Sequence, residues 1–158
     1  MKITVISDTH GNFDVLYDIV RKNQDTDTFI HLGDGENEYY DVQSSFYDKP
    51  FIFIKGNCDY GNYRPNLVTE LGGKKFYMCH GNTFEPSGMK EFIRATAVTN
   101  GCEIALFGHT HVPCCDMWGG VLLFNPGSPS LPRGGHPPTY GIITIMPNGS
   151  INAVHIAL

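Results

Sequence analysis

Short apolar runs alternate with longer segments of mixed polarity through the first two thirds of the chain. The runs at residues 2–7, 27–32 and 50–55 are rich in β-branched and aromatic residues and end near glycine or aspartate, which predicts three strands. Between the first two runs, residues 12–23 place their apolar side chains on one helical face, and Asn12 is positioned to cap that helix. The pattern therefore predicts a strand–helix–strand unit at the start of the chain.

Two more helices and a series of closely spaced strands are predicted downstream. The helices are expected at Glu36 to Ser45, which is weakly patterned, and around Pro86 to Thr99. From residue 103 onward, short apolar runs separated by glycine and proline turns predict strands at 103–108, 112–118, 120–127, 139–146 and 150–158. We predict one α/β domain spanning residues 1–158, in which two sheets form a sandwich.

Composition narrows the class of protein. The chain has 158 residues, of which 41% are apolar, and this is enough for a substantial core. The net charge of −5 and the scattered lysines and arginines argue against a dedicated nucleic-acid surface. No apolar stretch is long enough for a signal peptide or a membrane span, so we expect a cytoplasmic protein. The five cysteines are odd in number and lack CxxC spacing, which argues against a disulfide framework.

Polar clusters follow the predicted strands. Since ligand sites collect at the carboxyl ends of strands in α/β sheets, clusters from several strands are expected to meet in one crevice. The alternation of side chains along an extended segment also predicts that Asp8 and His10 share one side, as do His109 and His111. The five clusters are SDTHG with Asp8 and His10, HLGDG with Asp34, KGNCD with Asn57 and Asp59, CHG with His80, and GHTH with His109 and His111.

The nitrogen and oxygen donors of these clusters suit metal ions. Two aspartates, four histidines and one asparagine exceed the needs of one ion, whereas two ions that share Asp34 would use all seven. Such a set suits Mn, Fe, Zn, Ni or Co better than Mg or Ca. Among these metals we expect Mn, with Ni, Zn, Fe or Co as alternatives. Each cluster alone is typical of a helix cap, a turn or a structural histidine, so the prediction rests on the ordered set.

The ordered motifs DTHG, GDG, GNCD, CHG and GHTH resemble those of the calcineurin-like metallophosphoesterase superfamily. The short chain and the segment NPGS at 125–128 resemble its small YfcE-like phosphodiesterase group. The resemblance, from Ile3 to about Tyr140, implies a four-layer αββα sandwich with two mixed sheets and a dinuclear site at one end of the sheets.

The resemblance also implies a division of the ligands between two divalent transition-metal ions. Asp8, His10, Asp34 and His111 are expected to hold the first ion, and Asp34, Asn57, His80 and His109 the second. A metal-bound hydroxide would attack phosphorus in line with the leaving alkoxide. We expect Asn57, His80 and His109 to take part in catalysis, and Asn57 also to contact the phosphate.

Cys58 departs from the pattern of many superfamily members, which carry a histidine after the asparagine that is thought to help protonate the leaving group. We interpret Cys58 as a non-catalytic residue beside the site. The alternatives are a proton donor and a metal-binding or redox-sensing thiol. The loss of that histidine favours diesters with activated or cyclic leaving groups as substrates.

Residues around the clusters receive secondary predictions. Asp59 is expected either to orient a ligand histidine or to cap a turn, and His31 to pack beneath the site. Ser128 and Arg133 are predicted to meet the phosphate, with a plain rigid loop as the alternative. We expect His136 and His155 to be structural.

The preferred function is a dinuclear metal-dependent phosphodiesterase acting on small phosphodiesters or nucleotides. The alternatives are a metal-dependent phosphomonoesterase for protein or nucleotide substrates, and a non-catalytic scaffold like the retromer subunit that resembles this family. The sequence leaves open the physiological substrate, the native metal, the source of the leaving-group proton and the oligomeric state, a homo-oligomer included.

Overall fold

The computed structural model describes residues 1–85 and 87–158. The described residues form ten strands and three helices, and none of these helices is long and apolar enough to cross a membrane. In chain order the elements are β1 (Lys2–Ile6), α1 (Phe13–Lys22), β2 (Thr28–His31), α2 (Glu36–Ser45), β3 (Phe51–Phe53), β4 (Asn66–Leu71), β5 (Lys74–Cys79), α3 (Met89–Thr99), β6 (Ile104–Leu106), β7 (Cys114–Trp118), β8 (Val121–Asn125), β9 (Thr139–Ile145) and β10 (Ile151–Ala157).

The strands form two five-stranded sheets, and both sheets are mixed. The first has the order β10-β9-β1-β2-β3, in which β1, β2 and β3 are parallel and β9 and β10 are antiparallel additions. The second has the order β4-β5-β6-β8-β7, in which β5, β6 and β8 are parallel and the two edge strands are antiparallel. The predicted pair of mixed sheets is confirmed.

Alternate side chains of the central strands pack in opposite directions, which creates the layers. In β1, Val5 belongs to the core between the two sheets, whereas Ile6 packs among side chains of α1 and α2. In β5, Met78 lies between the sheets, whereas Tyr77 packs with Ile93 of α3. Helices therefore cover the outer face of each sheet, and the fold is the αββα sandwich that the resemblance implies.

Most predicted elements are confirmed, and two details differ. Helix α3 begins at Met89, and Pro86, where its prediction began, lies outside the described residues. Strand β4 was not predicted, although its residues alternate between exposed and half-buried positions. Gly72 and Gly73 both have positive φ and join β4 to β5 in a hairpin, so the Gly-Gly pair was the overlooked signal.

Candidate metal centre

Five of the seven predicted ligands converge at the carboxyl ends of the strands. Loops after β1, β2, β5 and β6 supply them, and their ligand atoms form two overlapping groups in which all atoms lie within 4.8 Å of one another. The two groups are Asp8, His10 and His111, and Asp8, Asp34 and His80. The first holds three of the four ligands expected for one ion, and the second contains Asp34 and His80 of the other set.

Short distances between ligand atoms define the centre. His111 Nε2 lies 3.2 Å from Asp8 Oδ1 and 3.2 Å from His10 Nε2, and His80 Nε2 lies 3.4 Å from Asp34 Oδ2. Asp8, Asp34 and His80 are almost completely buried, whereas His10 is partly exposed. The carboxylates and imidazoles therefore face one another at the bottom of a site that opens to solvent on one side.

Five of the predicted ligand residues adopt a left-handed backbone conformation, which residues other than glycine rarely adopt. Among the described residues, the non-glycine positions with positive φ are all predicted ligands, with φ between 45° and 65°. Each costs about 1 kcal/mol or more relative to ordinary backbone. The five residues are Asp8, His10, Asp34, His109 and His111.

This backbone conformation shows that the prediction from alternating side chains along an extended strand was wrong for Asp8 and His10 and for His109 and His111. Strand β1 ends at Ile6 and β6 ends at Leu106, so Asp8, His10 and the two histidines of GHTH lie in left-handed loop backbone. Alternation along a strand therefore does not bring Asp8 and His10 together. Backbone hydrogen bonds from Asp8 N to Gly33 O and from His10 N to Asp34 O fix the loop instead.

Two buried polar atoms in the centre lack a hydrogen-bond partner among the described residues. These atoms are Asp8 Oδ1 and His80 Nε2, each in a side chain with at most 1% exposure. Since buried polar atoms in native proteins almost always have a hydrogen-bond partner, these two unpartnered atoms indicate that a ligand binds between them. A divalent cation is the simplest partner for both atoms.

Carbonyl partners fix the orientation of two histidine rings. His80 Nδ1 donates to Leu32 O, and His111 Nδ1 donates to Leu131 O, each at 2.7 Å. Because a carbonyl can only accept, Nδ1 carries a hydrogen, and Nε2 is the ring atom that faces the carboxylates. This is the orientation that a metal-binding imidazole requires.

The buried carboxylates stay ionised. Burial alone would raise the pKa of Asp8, but the neighbouring rings of His111 and His80 hold that pKa below its ordinary value. The same opposition acts on Asp34, where burial is outweighed by the His80 ring and by hydrogen bonds from Cys58, so the pKa is lowered. Two ionised carboxylates together with histidine rings form a donor set that fits divalent transition metals.

Two predicted ligands lie beside the groups. The His109 ring lies 5.2 Å from the His80 ring between centroids, and its backbone N–H donates to Asp8 Oδ2 at 3.0 Å. Burial lowers the pKa of His109, which favours the neutral form. Asn57 is exposed, and its side-chain Nδ2 donates to Cys58 Sγ at 3.3 Å.

Cys58 borders the centre as a protonated thiol. Its Sγ lies within 4.8 Å of ligand atoms of His10 and Asp34, and its backbone N–H donates to Asp34 Oδ1 at 2.7 Å. Desolvation, and then the nearby Asp34 carboxylate, raise the pKa of the thiol to about 11. A thiol with this pKa is a poor nucleophile and a poor acid near neutral pH.

Of the two roles predicted for Asp59, the orientation of a ligand histidine is not seen among the described residues. Its carboxylate accepts four backbone N–H bonds at 2.7 to 3.0 Å, which join the GDG loop and the start of α2 to Gly56. In the opposite direction, the Glu36 carboxylate accepts hydrogen bonds from the backbone nitrogens of Tyr60 and Gly61. The two carboxylates therefore join the loop that carries Asp34 to the loop that carries Asn57.

A buried network supports the loop after β1, and sequence reasoning found only part of it. As predicted, His31 packs beneath the site, where it stacks on Phe53. Its Nδ1 accepts from Gly33 N, so Nε2 donates to Thr9 Oγ1 at 2.9 Å, and Thr9 donates to Glu38 Oε1. Glu38 also accepts from Gly11 N at 2.7 Å. Burial lowers the pKa of His31 to about 4.

The NPGS segment supports the centre from the other side. Ser128 is fully buried; its hydroxyl donates to Asp8 O at 2.7 Å and accepts from the backbone nitrogens of Ser130 and Leu131. These contacts give Ser128 a role in the loop, and its contact with a phosphate stays a prediction. Arg133 is exposed and lines a cavity of about 230 Å³ together with His109.

The remaining two histidines lie apart from the described ligand groups. His155 stacks on Phe124 and its Nε2 donates to Asn125 O at 2.7 Å, while His136 is exposed. Asn125 in turn donates to Gly108 O at 2.8 Å and so fixes the start of the GHTH loop. His155 therefore has the structural role that we expected.

Two glycines allow the carboxylates to reach the centre. A Cβ on Gly56 would overlap Asp34 Oδ1, and a Cβ on Gly108 would overlap Ser7 Oγ and approach Asp8 Oδ2. The GNCD and GHTH motifs therefore need glycine at these positions for close approach.

Comparison with known proteins identifies relatives over most of the chain. The model of the calcineurin-like phosphoesterase superfamily domain matches residues 1–148. The chain is 31% identical over 149 residues to the probable metallophosphoesterase YsnB of Bacillus subtilis, covering 92% of this chain and 85% of YsnB. It is 33% identical over 137 residues to the probable metallophosphoesterase MJ0623 of Methanocaldococcus jannaschii, covering 84% and 70%. The phosphodiesterase YfcE of Escherichia coli is 30% identical over 101 residues, which cover 58% of this chain and 51% of YfcE.

Solved structures with the same fold include a predicted phosphoesterase and the protein Vps29. A predicted phosphoesterase from Streptococcus pneumoniae superposes with a TM-score of 0.79 at 27% identity, covering 98% of this chain and 97% of that one. Vps29 of Entamoeba histolytica, solved in complex with zinc, has a TM-score of 0.77 at 20% identity, covering 99% and 98%. At that identity, Vps29 supports the fold alone.

Proposed function

Because the chain belongs to the calcineurin-like phosphoesterase superfamily and is a metal-dependent phosphoesterase, we propose that it hydrolyses small phosphodiesters or nucleotides at a pair of metal ions. The observation that carries this proposal is the pair of overlapping ligand groups with two buried, unpartnered atoms between them. Two ions bound side by side among these ligands would form the paired arrangement that serves displacement at phosphorus.

The proposed ligand sets follow the family pattern. Asp8, His10, Asp34 and His111 would hold one ion, and Asp34 would be shared with a second site. The second site would also use Asn57, His80 and His109. Manganese is the proposed metal, with nickel, zinc, iron or cobalt as alternatives. When bound, such ions would lower the pKa of water and neutralise charge on the phosphoryl oxygens.

The side chains of this protein prepare the site for that chemistry. The carbonyls of Leu32 and Leu131 hold His80 and His111 with Nε2 facing inward, so little reorganisation accompanies binding. Asn57 is exposed at the entrance, and its amide nitrogen can donate to a phosphate oxygen. Arg133, at the rim beside His109, supplies a cation for the same anion.

Two features favour diesters over monoesters. In the metal-free protein the Cys58 thiol has a pKa of about 11 and is a much weaker acid than an imidazolium, so it is a poor proton donor to a leaving group. Cavities also lie on two sides of the centre, one of about 360 Å³ beside His10 and one of about 230 Å³ beside His109. A diester has two ester groups to accommodate, whereas a monoester has one.

The decisive experiment compares two chromogenic substrates with several metals. Protein stripped of metal is assayed with bis-p-nitrophenyl phosphate and with p-nitrophenyl phosphate after addition of manganese, nickel, zinc or magnesium. We expect metal-dependent hydrolysis that is faster with the diester. Faster hydrolysis of the monoester would favour a phosphomonoesterase.

The likeness to Vps29 gives the scaffold alternative a structural basis, and metal binding separates it from the enzyme. Metal binding measured by calorimetry without hydrolysis of either ester would favour the scaffold. Equal rates with and without metal would contradict the proposed mechanism.

A further inference from the structure

A cavity of about 400 Å³ is lined by the start of α3, by the loop that follows β6 and by β7, and we call it the apolar cavity. Its lining is mainly apolar, with Lys90, Glu91 and Thr110 among the polar exceptions. A cavity of this size, with mostly apolar walls and a few polar groups, is typical of small-molecule sites. The apolar side chains that line it include Met89, Phe107, Val112, Pro113 and Trp118.

The apolar cavity adjoins the metal centre through the smaller cavity of about 230 Å³. That smaller cavity is lined by His109 and Arg133, and it shares Met89 and Thr110 with the apolar cavity. His109 is a proposed metal ligand, and Arg133 supplies a cation for the phosphate. A phosphodiester bound at the centre can therefore direct one ester arm past His109 into the apolar cavity.

Aromatic side chains continue the apolar surface along this path. Phe84 lines the smaller cavity and stacks on Phe92 of α3, with 6.0 Å between the ring centroids. At the other end, Trp118 is 42% exposed, and the Arg94 guanidinium lies 4.9 Å from the centroid of its ring. This cation–π contact holds the tryptophan ring in place. An ordered ring that is still partly exposed gains stability when a ligand removes it from water.

The charges around the apolar cavity do not favour an ionised arm. Lys90 donates to Asp116 Oδ2 at 2.8 Å, so its charge is already paired, and Glu91 is an exposed carboxylate. The cavity of about 360 Å³ on the other side of the centre is lined mainly by polar residues and glycine. An uncharged, apolar arm therefore has its better place between Met89 and Trp118.

We infer that the apolar cavity receives one ester arm of the phosphodiester and selects a substrate in which that arm is a long, uncharged apolar alcohol. This inference rests on the proposed function and names the substrate class for it. Arg133 and the metal centre hold the phosphate, and the arm extends past His109 until it covers Trp118.

Competitive inhibition tests the preference for an apolar arm. Hydrolysis of bis-p-nitrophenyl phosphate is inhibited with methyl heptyl phosphate and with an analogue of the same chain length in which two ether oxygens replace methylenes. We expect the heptyl compound to inhibit about tenfold more strongly, because burial of one methylene contributes about fourfold in affinity and the analogue has two fewer.

Fluorescence gives a second measurement that does not depend on turnover. Trp118 is the one tryptophan of the chain, so its emission reports on the apolar cavity directly. In metal-loaded protein, the heptyl compound should shift this emission to shorter wavelength in a saturable way, because the ring loses contact with water. The ether analogue at the same concentration should leave the emission unchanged.

Variants of β7 connect the preference to the cavity. Trp118→Ala should lose most of the preference for the heptyl compound, whereas Trp118→Phe, which keeps an aromatic ring, should retain most of it. Met117→Ala is the matched control, because Met117 is 67% exposed on the same strand and does not line the cavity. Thermal unfolding verifies that all three variants are folded.

The outcomes separate this inference from the proposed function. Normal diester hydrolysis with equal inhibition by the two compounds, with unchanged tryptophan emission, or with an undiminished preference in Trp118→Ala overturns only the inference. An absence of diester hydrolysis with every metal overturns both.

Discussion

The carboxylate of Asp59 accepts a hydrogen bond from the backbone nitrogen of Asp34 at 2.9 Å. Asp34 is the proposed shared ligand and has a φ of 57°, so Asp59 holds it in an unfavourable conformation. Asp59 itself has no described contact with a ligand histidine. Its effect on the centre is therefore exerted through the backbone.

Replacement of Asp59 tests this support. Asp59→Ala leaves four backbone N–H groups without their acceptor, several of them buried, and we expect a loss of about 3 kcal/mol in the free energy of unfolding. Metal affinity should fall as well, because the GDG loop loses its anchor. Denaturant unfolding and calorimetric metal titration measure the two effects. The exposed Asp48→Ala is the matched control, and equal stability of the two variants would contradict the role of Asp59.

Replacement of Ser128 is expected to lower stability, whereas replacement of Arg133 is expected to weaken substrate binding. Ser128→Ala removes the donor to Asp8 O and the acceptor of two backbone nitrogens, so stability should fall by about 1 to 2 kcal/mol. Arg133→Ala should leave stability unchanged and raise KM for the diester severalfold, since Arg133 is exposed at the rim. Thermal unfolding and steady-state kinetics separate the two. An increase in KM with normal stability in Ser128→Ala would support the phosphate contact that the sequence predicted.

Cys58 and His109 provide a contrast in activity. Cys58→Ala should keep most of the diester hydrolysis, because Cys58 is not among the proposed ligands and its thiol is a weaker acid than an imidazolium. His109→Ala should abolish hydrolysis and weaken metal binding, because it removes a proposed ligand. His136→Ala is the histidine control at an exposed position and should behave as wild type. A loss in Cys58→Ala as large as that in His109→Ala would mean that the thiol takes part in the reaction.

The buried His31 predicts a dependence of stability on pH. Burial lowers its pKa from 6.5 to about 4 in the folded protein, so between these values the unfolded chain binds a proton that the folded protein does not. The free energy of unfolding should therefore decrease as the pH falls from about 6.5 towards 4. In His31→Gln, which keeps a donor for Thr9 but cannot titrate, this decrease should be smaller. Denaturant unfolding of both proteins across this pH range makes the comparison, and identical slopes would contradict the assignment.

The sequence predicted the layers and the location of the centre because both depend on repeated patterns. Apolar periodicity marked the parallel strands, and each polar cluster followed a strand, so convergence at one edge required no knowledge of loop shape. Strand β4 was missed because its residues alternate only between exposed and half-buried positions, and its pairing depends on the Gly72–Gly73 hairpin.

The supporting residues were harder to predict because their partners are backbone atoms. Asp59, Glu36 and Glu38 accept N–H bonds from loops distant in sequence, and no spacing rule encodes such contacts. Helix α2 has a weak apolar pattern, and this was the one sign in the sequence that a polar residue, Glu38, takes a buried position on it. The buried contacts of Ser128 were not predicted because a turn-rich loop near a site does not reveal which hydroxyls face inward.

The left-handed backbone of the five ligand residues has a thermodynamic consequence for the whole protein. At 1 kcal/mol or more each, they subtract on the order of 5 kcal/mol from a stability that is typically only about 5 to 15 kcal/mol. Glycine at these positions would relieve that strain but would also remove the hydrogen bonds that Asp8, Asp34 and His111 make with the loops. Affinity for the ion and resistance to unfolding are thus opposing demands on the same five positions, and engineering for heat tolerance should leave them untouched and begin elsewhere in the sandwich.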